Sequence, residues 1–462
     1  MSAPLSVPRE LVRRLGAWDA ALITIGSVIG TGIFLTTGDM AKVLPHNGMI
    51  LGVWVLSGLL TLAGALTYAE LGAMYPNAGG MYVFLREAYG PLWGFLYGWG
   101  AFLVIMSGGL AAIAVGFGEY LGAFFPFWST QHEIFHVAVG GFTWTVSGGQ
   151  LAASLAILVL TAINHFGVRE GALAQNLLTV LKIGAIVVFA FIGFLVPAKV
   201  TATTLGGAVP VGALAAFGVA MIAALWTYDG WYGATFAAGE MKNPGRNLPI
   251  GLIGGTAVIV LLYTLLNLVY FRALSTADMA ATSRIGETAA TVLFGARGGQ
   301  LLTLAVLVST FGCLASTLLY SSRIYLPMAE DGLFFRSMAR IHPRWRVPTV
   351  SLWTQSAWAI VLALSGRYDQ LYTYVVFVAV LFHVLTGASV FVLRRKHPDA
   401  ERPYRVWGYP VVPLVFLVSS VILVANTLHE RPVESLFGLG LLALGLPAYF
   451  YWQRRSRIAE RS

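Results

Sequence analysis

Charge is what this sequence has least of. Lysine, arginine, aspartate and glutamate make up 11% of its 462 residues, where an ordinary globular chain carries about 25%. Hydrophobic residues reach 57%, and the mean hydropathy is +0.76. A chain this long folding in water would need far more polar surface, so a soluble protein is excluded. Cysteine is nearly absent too. Cys313 is the only one, which rules out an intramolecular disulfide, a CxxC redox motif and a cysteine-based zinc site. The start, "MSAPLSVPRELVRRLGAW", runs straight into a long apolar segment with no small-residue cleavage site, and it reads as retained.

What the chain does have is long hydrophobic runs. A spanning helix needs about 20 predominantly apolar residues. Twelve segments qualify as candidates: 17–44, 49–73, 93–123, 150–166, 173–196, 212–239, 249–271, 299–322, 349–365, 370–393, 408–428 and 434–452. The fourth and ninth are short. The expectation is an all-α polytopic membrane protein, a single transmembrane domain over 1–462 with no soluble domain. Its longest connections are 124–149, 197–211, 272–298 and 323–348.

The basic residues alternate with these segments. One side takes Arg9, Arg13, Arg14, Arg86, Arg169, Lys242 and Arg246, the arginines of 323–346, the Lys/Arg cluster of 394–405, and the four arginines after 453. The other side takes Lys42, Lys199, Arg272, Arg284, Arg297, Arg367 and Arg431. A bias of three to one, in the right alternation, places both termini in the cytoplasm. The net charge of +9 and pI near 9.6 follow from this topology. No nucleic-acid partner is expected.

Two segments are interrupted. The first carries "GSVIGTGIF" over 26–34, and the sixth carries "LWTYDGWYG" over 225–233. Each opens a set of five helices. Five is odd, so the second set must run inverted, giving repeats over 16–196 and 212–394 with helices 11 and 12 over 408–452. Matching broken helices in two inverted halves point to a transporter binding site.

Gly26 and Gly30 have GxxxG spacing, which alone signals helix packing. Packing does not account for Gly32 or for Thr31 between two glycines. An unwound stretch frees amides that suit a carboxylate at the start of the next half-helix. Asp229 is an acid deep in an apolar run, where charge is costly. Its plain role is an N-cap for the second half-helix, which already concedes a break and leaves carbonyls free for an ammonium. Together the breaks suggest a zwitterion. Lys182 lies about 14 Å into the fifth segment at 1.5 Å per residue, either a functional cation or a structural tie between helices. Trp226 beside the second break suits a lid. Glu70, Glu119 and Glu240 read as interfacial or capping residues. No acid–base pair or nucleophile converges at membrane depth, so neither enzyme activity nor a cofactor or metal is expected.

These stretches are similar to a known family. "IGSVIGTGIF", "YAELGAMYPNAGGMYVFLREAYGPLWGFLYGW" (68–99), "FGVREGALAQNLLTVLKI", "ALWTYDGWYGATFAAGEMKNPGRNLPIGL" and "STFGCLASTLLYSSRIYLPMAEDG" resemble the amino acid–polyamine–organocation superfamily. The likeness is to its L-type branch, which includes the bacterial serine/threonine exchangers, and covers nearly the whole chain. It implies a LeuT-type fold, a 5+5 inverted repeat plus two helices, working by alternating access. It also implies that the substrate carboxylate binds amides of Gly30, Thr31 and Gly32. The amino group would bind carbonyls of Trp226, Thr227 and Asp229, with Trp226 as the aromatic gate. The Lys182 amine would take the place of sodium, facing the backbone of Gly26 and Ile29 and the hydroxyl of Ser309.

The expected function is therefore a sodium-independent transporter, an exchanger of neutral L-amino acids in the lipid bilayer. The alternatives are a proton-coupled symporter with Lys182 titrating, and a cationic amino acid or polyamine transporter. Two departures stand out. Tyr232 replaces an asparagine that many relatives carry, which puts pocket polarity in question. The connection 124–149 lacks the cysteine through which animal members join an ancillary subunit, so no disulfide-linked partner is expected.

Overall fold

A computed structural model describes residues 13, 15–77, 79–139, 142–166, 169–200, 212–345, 347–366 and 368–461. The first twelve residues of the expected retained leader, residues 201–211, and the basic positions Arg9, Arg14, Arg346 and Arg367 lie outside them. About 80% of the structure is helix. Among the described residues, ten helices are long and apolar enough to cross a membrane, and the pair Ala17–Val28 and Gly32–Val43, bent by 43°, makes an eleventh. Thr349–Ser365, at the expected ninth segment, is apolar but only 17 residues long.

The differences from the expected segments have local causes. The eighth helix extends over Ile285–Ser321, but Gly295 (φ 78°, ψ 177°) turns the chain inside it, so its N-terminal end is a separate arm. The connection 124–149 is not wholly irregular. It forms an antiparallel hairpin, β1 (Glu133–Val139) with β2 (Phe142–Ser147), the one departure from an all-helical chain among the described residues. "EIFHVAV" and "FTWTVS" are rich in β-branched and aromatic residues, which favour strands. Trp144 Nε1 donates to the Leu364 carbonyl at 2.8 Å and ties the hairpin to the short helix.

The first broken span is held against helix Pro244–Ala273 through small residues. A Cβ on Gly251 would stand 2.3 Å from the Ala20 Cβ, and one on Gly255 would stand 2.9 Å from the Thr24 Cβ. Such contacts let two membrane helices approach closely where no hydrophobic effect drives them together. That helix begins with Pro244, whose missing N–H is no loss at a helix start.

The acids expected as interfacial or capping residues are partners of basic or hydroxyl groups. Glu240 accepts from Arg323 Nε at 2.7 Å. Close by, the Leu15 backbone pairs with the chain after the second break, donating to the Glu240 carbonyl and accepting from the Lys242 amide. Glu70 is paired with Arg394. Glu119 accepts from Ser283 and Thr130.

Candidate functional site

The first half of span one ends at Val28. Ile29 turns extended (φ −75°, ψ 90°), Gly30 N–H reaches only the Val28 carbonyl at 2.9 Å, and the helix resumes at Gly32. Among the described residues, the amides of Thr31, Gly32 and Ile33 find no backbone acceptor. They form the positive end of a 12-residue helix. The Thr31 hydroxyl is buried and has no partner in hydrogen-bonding geometry among the described residues.

Span six breaks in the opposite sense. Its helix ends at Tyr228, Asp229 is extended (φ −61°, ψ 153°), and Gly230 takes φ 95°. The chain resumes as a 3-10 helix over Gly233–Glu240, whose N-cap is Tyr232 with no side-chain cap. Asp229 is therefore the C-cap of the first half, not the expected N-cap of the second, because the left-handed turn at Gly230 delays the restart. The carbonyls of Tyr228 and Asp229 accept no backbone hydrogen bond.

The two breaks meet. Thr36 and Thr227 hydroxyls lie 2.9 Å apart, and the Tyr263 hydroxyl reaches both the Val28 and Thr227 carbonyls, at 3.1 and 3.3 Å. Gly32 is required by this approach, since a Cβ there would stand 2.7 Å from Thr227 Oγ1. Between the breaks is a narrow chamber with about 30 Å³ of free space, bordered by Gly30, Thr31, Gly32, Trp226, Thr227 and Asp229. Met106 and Gly109 close one side, and Cys313, Thr317 and Tyr320 another. A larger groove beside Arg246 and Pro403 is mostly apolar and open to the surroundings. It lacks the convergent polar groups of a small-molecule site.

Lys182 lies outside this chamber, behind the first break. Its Nζ donates to the carbonyls of Gly26 at 3.1 Å, Ile29 at 2.9 Å and Ser309 at 3.2 Å. A cation at the C-terminal end of a half-helix is favourably placed. The Ser309 hydroxyl, expected to face the lysine, donates to the Ile29 carbonyl at 3.3 Å instead, and it is the Ser309 carbonyl that meets the amine.

Trp226 stacks on Tyr372 with ring centroids 6.1 Å apart, and its Nε1 donates to Tyr368 at 2.9 Å. Tyr232 does not border the chamber. It is fully buried in an aromatic cluster with Tyr68, Trp231, Phe236 and His383. Tyr232 thus reaches the chamber only through its hydroxyl, 3.5 Å from Asp229 Oδ2, because the turn at Gly230 carries its ring into the cluster. His383 was missed by the sequence reading. A lone histidine in "VVFVAVLFHVLTGASVF" carries no spacing signal.

Paired breaks of this kind, one offering amides and one carbonyls, can hold the two charged ends of a zwitterion without spending a buried side-chain charge on each. The family model described as amino acid permease matches residues 15–436. The chain belongs to this amino acid permease family. It is a multi-pass membrane transporter with the helical architecture of the family, not an enzyme. The serine/threonine exchanger SteT of Bacillus subtilis is 30% identical over 451 residues, 96% of this chain and 98% of that protein. The human b(0,+)-type amino acid transporter 1 is 30% identical over 96% of this chain and 88% of its own length. The mouse large neutral amino acids transporter small subunit 2 is 30% identical over 97% and 83% respectively.

Proposed function

We propose that this permease exchanges neutral L-amino acids across the membrane by alternating access, independently of sodium. The observation that carries the reading is the meeting of the two breaks around one chamber, bordered by Thr31 and Gly32 with free amides on one side and by Asp229 with a free carbonyl on the other. The substrate carboxylate binds the first set, where the helix dipole favours an anion. The ammonium binds the second, and Trp226 covers the pair. Lys182 supplies a fixed positive charge behind the first break, in contact with Gly26, Ile29 and Ser309, so no metal ion is needed there. Residues 16–196 and 212–394 act as the two inverted repeats, with 408–452 outside them. Both termini face the cytoplasm. No disulfide-linked subunit is required, since the one cysteine is buried beside the chamber. The names of the relatives, exchangers and amino acid transporters, support the substrate class.

Purified protein in liposomes loaded with single unlabelled amino acids tests this. Labelled serine, threonine or leucine should enter faster when an amino acid waits inside, equally in sodium and choline buffers. Uptake that ignores the internal amino acid rejects exchange, and a strict sodium requirement rejects the lysine's role.

A further inference from the structure

Behind the second break lies another chamber. It leaves about 40 Å³ of free space, enough for a water, among helices Asn47–Met74, Ala213–Tyr228, Tyr368–Lys396 and Val411–Glu430. Its polar lining is Thr61, Asp229, His383, Ser419 and Ser420. Asp229 borders both chambers, so one residue forms part of the wall between the substrate space and this second space. An enclosed space needs several polar partners to hold water, and this lining provides them. The Thr61 and Ser420 hydroxyls donate to the carbonyls of Ser57 and Phe416, both at 2.7 Å, which leaves their oxygens as acceptors.

His383 is fixed in a way that frees one nitrogen. The Tyr68 hydroxyl oxygen lies 3.1 Å from Met81 Sδ and 2.6 Å from His383 Nδ1. In the tautomer whose Nδ1–H donates to that oxygen, the neutral ring presents an unprotonated Nε2, which has no hydrogen-bond partner among the described residues. Asp229 has only the Tyr232 hydroxyl near its Oδ2, at 3.5 Å, and the adjoining Gly230 amide. The other titratable groups around the pair are Tyr68, Tyr97, Cys313 and Tyr320, from three neighbouring helices. Lys182 is engaged with three carbonyls behind the first break.

We propose that this second chamber is a hydrated proton-binding site, in which Asp229 and His383 share a proton through water. A proton held on His383 Nε2 passes to a water, and that water gives one of its own to an Asp229 Oδ. One N–H bond breaks, one O–H bond forms, and the water is regenerated. The inference rests on the exchanger reading, for it gives the substrate's ammonium a neighbour whose charge changes with pH. With Asp229 ionised the ammonium is favoured; with Asp229 protonated that attraction is lost. Exchange therefore falls as pH drops. Because the two sites interact, their titrations belong to the pair, and altering one moves the other.

The test is counterflow in proteoliposomes over about pH 5–8, the range in which a histidine and a buried carboxylate exchange protons. Wild type should lose activity several-fold on the acid side. His383→Gln should move the midpoint by about one unit or more, and Asp229→Asn should abolish the acid limb at saturating substrate. Tyr68→Phe keeps the ring and removes the hydroxyl that orients His383. It should shift the midpoint as well, and it carries the test if His383→Gln fails to give a monodisperse protein. A flat wild-type profile, or a His383→Gln or Tyr68→Phe profile superposed on wild type, overturns the proton site. Absence of exchange by wild type at every pH defeats the exchanger reading instead.

Discussion

The Lys182 ammonium stands 2.9 Å from the Ile29 carbonyl, where the first half of the first broken span ends. The same amine reaches Gly26 and Ser309, so one side chain joins three carbonyls from two spans. Hydrogen bonds to a charged group contribute about 1.5–3 kcal/mol each. Lys182→Ala leaves these carbonyls buried and unmatched, and it frees the break from the helix that carries the lysine. Exchange should fall at least about tenfold while the protein remains purifiable. Normal transport by the alanine variant would remove Lys182 from the mechanism. Sodium-dependent recovery in that variant would show that the amine occupies a cation's place.

Gly32 carries a separate expectation. Its Cβ position lies 2.7 Å from Thr227 Oγ1, 2.9 Å from Cγ2 and 3.1 Å from Cα. Gly32→Ala must therefore push the two breaks apart, which moves the amides away from the carbonyls. Apparent affinity should weaken more than about tenfold, read as a raised half-saturation in counterflow. Thr227→Ala in the same chain removes the two nearest atoms but leaves Cα, so rescue should be partial. Unchanged affinity in Gly32→Ala would mean that the breaks do not hold the substrate together.

How much of this was legible in the sequence depends on the kind of signal each residue gives. The breaks were legible because glycine pairs and an acid inside apolar runs violate what a membrane helix tolerates. Lys182 was legible for the same reason. Where the side chains point was not. Tyr232 follows Asp229 by three residues, but the φ of 95° at Gly230 sends it into the aromatic cluster, and no periodicity encodes that turn. The hairpin of 133–147 was missed because an aromatic loop lacking charge looks the same whether paired or irregular. His383 meets Asp229 across a chamber only through the packing of distant helices. The Ser309 carbonyl serves where its hydroxyl was expected, since sequence names a residue but not which of its atoms faces inward.

Tyr232 leads to a prediction about stability, not selectivity. It is fully buried, with ring neighbours Tyr68, Trp231, Phe236 and His383 between 5.1 and 6.4 Å. Tyr232→Asn removes an aromatic ring from a packed cluster, a change that costs about 3–5 kcal/mol when large side chains are truncated. The thermal midpoint in detergent should drop, while the order in which amino acids compete for uptake stays as in wild type. A changed order with an unchanged midpoint would place Tyr232 at the substrate after all.

Glu70 holds down the far end of the molecule. Its side chain is 1% exposed and accepts from Arg394 Nε and Nη2 at 2.8 and 2.7 Å and from the Val406 amide at 2.7 Å. Arg402 Nε stands 3.7 Å away, and the Arg394 guanidinium sits over the Tyr409 ring. One carboxylate thus fastens the connection 397–410 to helix Asn47–Met74. Glu70→Gln keeps the shape but leaves two arginines facing a neutral amide, and breaking a buried pair by removing one partner costs about 3–5 kcal/mol. The thermal midpoint should fall, and amide exchange should accelerate in 397–410 before the rest of the chain. Half-saturation by substrate should stay near wild type, because Glu70 borders neither chamber. Faster exchange spread evenly over all helices, or a weakened substrate affinity with 397–410 still protected, would show that Glu70 does something other than clamp this loop.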